Sequence, residues 1–125
     1  MTTFGPYTPI RQSGNLYFVS GQVGVDPQTK EASSDVAEQT RQALTNLTSV
    51  LAGAQLEMND IIKTTVFISD MDNFTAINTV YETFFDAPRP ARSAIGVKEL
   101  PRVAGETPVL VEIEAVAFRE EVKRV

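Results

Sequence analysis

From Val109 to Phe118 the chain alternates without a break. Val109, Val111, Ile113, Ala115 and Ala117 fall on one side, all apolar, and Leu110, Glu112, Glu114, Val116 and Phe118 fall on the other. Successive side chains of a strand point to opposite faces, so this segment predicts a strand with one face committed to a core. Two amphipathic segments supply the cover. Val36, Ala43, Leu44, Leu47, Val50, Leu51 and Ala54 recur at helical spacing and predict a helix over roughly 34–54. Ser34 is the expected cap there, and Asp35 and Glu38 suit the positive end of the helix dipole. Phe74, Ile77, Val80, Tyr81 and Phe84 repeat the pattern after Asp70-Met71-Asp72 to about Phe85, with Asn73 as cap residue and Pro88 beyond the stop.

The other regular segments read as strands. Leu16 to Ser20 is rich in β-formers and runs into a glycine-containing segment ending at Val25, before a turn at residues 26–30. Ile61 to Ile68 is dense in β-branched residues, and Ala91 to Val97 alternates. Pro101, Gly105 and Pro108 mark a loop between the last two strands. The order is β-β-α-β-α-β-β over residues 1–125, read as a single domain: an α+β fold, one mixed sheet with two helices on one face. Two helices cover only one face of such a sheet. The other is solvated or finds another subunit.

Composition narrows the chemistry. The 125 residues contain no cysteine and no histidine. Disulfides, thiolate nucleophiles, Ser-His-Asp triads, imidazole metal sites and cysteine zinc sites are all excluded. The net charge is −5, and Arg89, Arg92, Lys98 and Arg102 are interleaved with Glu99, Glu106, Glu112 and Glu114. No basic stripe suited to nucleic acid emerges. The chain has no apolar run near the roughly 18 residues of a membrane span and no leader pattern, so no membrane partner and a cytoplasmic location are expected.

Glu112 and Glu114 stand one pleat apart between apolar neighbours. Either they are a solvated pair, or a covered face desolvates them, raises a carboxylate pKa and tunes a general base. Arg92 opens the strand after Pro90-Ala91. It reads as an ion pair with the glutamate-bearing strand, or as a bidentate clamp for a carboxylate. Tyr7, taken alone, reads as a packing residue, Asn78 as a solvated asparagine, and Ser20-Gly21 as a bulge or strand end.

Gly5-Pro6-Tyr7, Val19-Ser20-Gly21-Gln22, Asp60 to Val66 (DIIKTTV), Asn78 with Val80 to Phe85, Pro90-Ala91-Arg92-Ser93 and Glu112-Ile113-Glu114-Ala115 closely resemble the RidA (YjgF) family. These are the reactive-intermediate deaminases, also called L-PSP endoribonucleases. The resemblance implies a chorismate-mutase-like fold and a homotrimer with active sites between subunits. It implies cofactor-free hydrolysis of 2-imino or 2-enamino acids (2-iminobutanoate and 2-iminopropanoate type) to 2-keto acids and ammonia. Arg92 would then hold the substrate carboxylate and Glu112 would activate water, with Tyr7, Ser20, Gly21, Asn78 and Ala94 lining the pocket. Ala94 stands where many members carry Cys, Ser or Thr, so only its backbone would take part. The loop between Arg92 and Glu112 is longer than in compact members. The resemblance also carries a second function, an endoribonuclease or translation inhibitor. A carboxylate clamp would look the same in a third, a ligand-binding or chaperone-like trimer that binds carboxylates without turnover.

Imine hydrolysis needs no metal, because the C=N carbon is already electrophilic. Dialysis against a chelator should leave keto-acid formation unchanged, and activity that returned only on adding metal would remove the water-activating role from Glu112.

Overall fold

The computed structural model describes residues 3–120. Five strands form one sheet: β1 (Ile10–Ser13), β2 (Leu16–Val23), β3 (Ile61–Ile68), β4 (Ala91–Gly96) and β5 (Val111–Phe118), in the spatial order β1-β2-β5-β3-β4. β3 and β4 are parallel and joined by helix α2 (Phe74–Tyr81); the other pairings are antiparallel. Helix α1 (Val36–Gly53) lies with α2 against the same sheet face, which gives the expected α+β architecture of one mixed sheet and two helices.

The alternation of the last strand governs the core. Val111, Ile113 and Ala117 are completely buried on the helix side. They meet Leu44, Leu47 and Leu51 of α1 and Ile77 and Val80 of α2. Full burial of each such large side chain contributes roughly 1.5–3 kcal/mol.

Three local expectations are corrected. The first hairpin is β1 with β2, turning at Gly14-Asn15 with Gly14 at φ +57°, and the glycine-containing segment after Ser20 continues β2 rather than forming a strand of its own. The cap of α1 is Asp35, whose carboxylate accepts from the Glu38 amide at 3.3 Å; Ser33, not Ser34, assists by accepting from the Asp35 amide. The entry to α2 is a 3₁₀ turn over Met71–Asn73 capped by Asp70, and Asn73 makes no side-chain capping bond.

The face opposite the helices is partly covered by the chain itself. The loop between β4 and β5 folds back and builds a second apolar cluster of Val23, Val25, Leu100, Ala104 and Val109, with Phe67, Val97 and Val103 against it. A buried glutamine ties this loop to α1. Gln39 Nε2 donates to the Ser33 and Pro108 carbonyls, and its Oε1 accepts from the Leu110 amide, each at 2.8 Å. Beside it, a Cβ on Gly24 would lie 2.4 Å from the Gln39 carbonyl oxygen. Helix α1 crosses the end of β2 at a distance only glycine permits.

Gly24→Ala should therefore cost about 2 kcal/mol, typical of an overpacked interior, and lower the urea midpoint with the slope unchanged. A midpoint equal to the parent's would show that α1 shifts freely.

Candidate functional site

Glu112 faces away from the helices, in register with Val23 of β2 and Phe67 of β3. Next to it β2 bulges: Val19 pairs with Ala115 but Gln22 with Ile113, so Ser20 and Gly21 are displaced from the ladder. The displacement brings Gly21 beneath the carboxylate. A Cβ on Gly21 would stand 2.6 Å from Glu112 Oε2, so the glutamate occupies the space a side chain would take. Ser20 is turned the other way along the backbone. Its Oγ donates to the Thr8 carbonyl at 2.7 Å and its amide to the Pro9 carbonyl at 2.9 Å, which straps the N-terminal segment to the bulge.

That strap carries Tyr7 to the same place. Tyr7 is not a packing residue; it is 42% exposed, and its hydroxyl accepts from the Phe4 amide at 3.2 Å. A cleft of about 370 Å³ results. It is lined by Glu112 and Glu114 from β5, Ser20 and Gly21 from the bulge, Phe4 and Tyr7 from the strap, and Pro101 and Val103 from the loop. Four of the sequence-predicted residues therefore share one cleft. Burial, and secondarily the charge of Glu114, holds the Glu112 carboxyl above its ordinary pKa of 4.5.

Arg92, Asn78 and Ala94 lie elsewhere. β4 is the sheet edge, and β3 separates it from β5, so the cross-strand ion pair with a glutamate does not form. Arg92 pairs in register with Thr64 and points to the helix side. Its Nη1 donates to Asn78 Oδ1 at 2.6 Å, and its guanidinium sits 4.9 Å from the Tyr81 ring centre and 5.6 Å from that of Phe74. Asn78 is thus a partly buried acceptor rather than a solvated side chain. Tyr81 is itself fixed by a 2.6 Å hydrogen bond with buried Thr64. Burial pushes its phenol pKa up, against the opposing pull of that bond and of the Arg92 and Arg89 charges. Ala94 packs against the core two residues along.

Arg92 meets no carboxylate among the described residues. It is a guanidinium held rigidly by an amide and two rings. Two strand spacings of ~4.8 Å and three residues of ~3.3 Å separate its backbone from that of Glu112, roughly 14 Å, with the side chains on opposite faces. No cluster of three acidic, histidine or cysteine side chains suited to a metal occurs among the described residues, and no helix there is long and apolar enough to cross a membrane.

Phe4, Gly24, Gln39 and Val103 also shape the site and are not among the sequence-predicted residues. Gln39 carried a signal, since it falls in phase with Val36 and Ala43 on the apolar stripe of α1. The hairpin turn also carried one, a Gly-Asn pair between β-forming runs. For Phe4 and Val103 there was none, because their meeting depends on two loops.

Residues 1–119 match the profile of a family described as endoribonuclease L-PSP. A 2-iminobutanoate/2-iminopropanoate deaminase of Escherichia coli is 43% identical over 118 residues, 92% of this chain and 88% of that one. A RutC family protein of Pyrococcus horikoshii is 42% identical over 117 residues, 93% and 89% of the two chains. The crystal structure of E. coli TdcF with bound serine superposes with a TM-score of 0.87 at 43% identity, covering 94% of this chain and 91% of that one.

Because Glu112 is favoured in its neutral form when folded, its effect on stability has a definite sign. The folded pKa lies above the unfolded one, so the contribution is fully present at low pH and is lost as pH rises through the folded pKa. Glu112→Gln should raise the melting temperature by a few degrees near about pH 7.5, and the gain should vanish near about pH 4. An equal gain at both pH values would mean that the carboxylate is not held against ionisation.

Proposed function

The chain belongs to the RidA family, also named endoribonuclease L-PSP, and on that premise we propose that it is a cofactor-free hydrolase of 2-imino acids, releasing 2-keto acids and ammonia. The observation that carries the reading is the seat of Glu112: a half-buried carboxylate of raised pKa, laid over Gly21 in a cleft. Such a group takes a proton from water and holds it long enough to pass it on. Glu112 accepts a proton as water adds to the carbon of the protonated imine, giving a carbinolamine. It returns that proton to the nitrogen, the C–N bond breaks with ammonia leaving, and Glu112 takes the hydroxyl proton as the carbonyl forms. Tyr7, Ser20 and Gly21 shape the cleft around this step.

Arg92 supplies the clamp. In a 2-imino acid the carboxylate is bonded directly to the imine carbon, so clamp and base must lie within the length of one small molecule. Within one chain they face opposite sides of the sheet, roughly 14 Å apart along the backbone. A second copy must bring its Arg92 to this Glu112. That requirement supports the homotrimer with intersubunit sites, in which Asn78 and Ala94 stand beside the clamp. The exposed Phe18, Phe118 and Ile95 supply apolar surface for the contact. A net charge of −5 without a basic stripe favours a small imino acid over RNA.

The test generates the imine in place with an amino-acid oxidase and follows keto acid above the spontaneous rate. Arg92→Lys should lose nearly as much as Arg92→Ala, because an ammonium cannot reproduce the planar fork. Glu112→Gln should retain substrate binding and lose on the order of 10²–10⁴ in rate. The kcat/KM of the parent should fall on the acid side with a pKa above the ordinary glutamate value, since the base must be ionised. Sedimentation should give a trimer for the parent and all three variants. A monomer, or Arg92→Lys at near-full rate, overturns the clamp.

A further inference from the structure

The cleft beside Glu112 has an apolar part that hydrolysis of the imine does not require. Pro101 and Val103 line it from the loop between β4 and β5, and Phe4 lines it from the N-terminal strap. Arg102, the residue between the two loop positions, turns outward, 82% exposed at its side chain, and pairs with Glu99 at 3.1 Å. The loop thus presents its apolar residues to the cleft and its charge to solvent.

The loop is also held in place. Val103 packs into the cluster of Val23, Val25, Leu100, Ala104 and Val109. Its amide donates to the Pro101 carbonyl at 3.1 Å, closing the turn that carries both wall residues. Gln39 fastens the far end through the Pro108 carbonyl and the Leu110 amide. A wall anchored at both ends discriminates by shape and polarity rather than yielding to whatever enters.

We propose that Phe4, Pro101 and Val103 form a side-chain subsite that selects 2-imino acids with apolar side chains of several carbons over those whose side chain ends in a carboxylate. The proposal rests on the deaminase reading of Glu112. Two terms set the preference. Each methylene removed from water favours binding about four-fold. A carboxylate side chain loses that gain and meets Glu112 and Glu114 in the same cleft, with no cation of the loop turned towards it.

The test compares the imines derived from leucine, alanine and glutamate, each generated by an amino-acid oxidase, with the trimeric parent protein. The kcat/KM for the leucine-derived imine should exceed that for the glutamate-derived one about ten-fold or more. In Phe4→Ala and Val103→Thr the leucine-to-alanine ratio should fall several-fold. Phe4 is 42% exposed, so its removal leaves the core intact even if the Val103 variant proves unstable. Equal rates for leucine- and glutamate-derived imines, or an unchanged ratio in Phe4→Ala, overturn the subsite. Acceleration of no imine at all would instead sink the deaminase reading. Calorimetric binding then still decides the subsite: 4-methyl-2-oxopentanoate should bind about ten-fold tighter than 2-oxoglutarate, and equal affinities would refute it.

Discussion

β5 is hydrogen-bonded on both edges, to β2 and to β3, and it carries the dry face and the cleft on alternate residues. Ile113 and Val111 are locked beneath the helices, so Glu112 between them has no freedom to choose its side. The register of a central strand fixes the face on which its carboxylate lies. The bulge at Ser20-Gly21 then lays bare backbone against it. Desolvation of Glu112 is thus imposed by the sheet, and Glu114, one pleat along, adds like charge.

Arg92 is handled in the opposite way. The α2 crossover between parallel strands leaves β4 at the edge, where Arg92 meets a helix rather than a strand. Asn78 and the faces of Tyr81 and Phe74 orient the guanidinium without neutralising it. A cation fixed by neutral groups keeps its charge for an anion. The Thr64–Tyr81 hydrogen bond reaches back into the core, so the pose of Arg92 is tied to the packing of β3.

Much of this was legible along the chain. Both helices and β5 follow from periodicity, because each buries one face and burial writes a period of 3.6 or 2 into the residues, whereas β2 and β3 are marked by β-forming composition. β1 escaped because Arg11, Gln12 and Ser13 are exposed and bury nothing periodic. The cap of α1 moved by one residue, from Ser34 to Asp35, since three adjacent residues all have capping side chains. The ion pair expected for Arg92 failed for a topological reason. Strands adjacent in sequence are often adjacent in space, but here β5 inserts between β2 and β3.

The resemblance to the RidA family rests on short runs in the right order, and residue order is what a sequence preserves. The absence of histidine and cysteine limited the chemistry to carboxylates, guanidinium, hydroxyls and backbone, and the alternation of Val109 to Phe118 set Glu112 apart from the core. Which of those groups meet was decided by the tertiary structure. Phe4, Gly21, Val103 and Glu112 come together from four separate parts of the chain, and Arg92 is turned to the other face. Periodicity reports only whether a side chain faces in or out, whereas a cleft between loops depends on strand order, a bulge and a buried glutamine bridge, all of which are contacts between residues far apart in sequence.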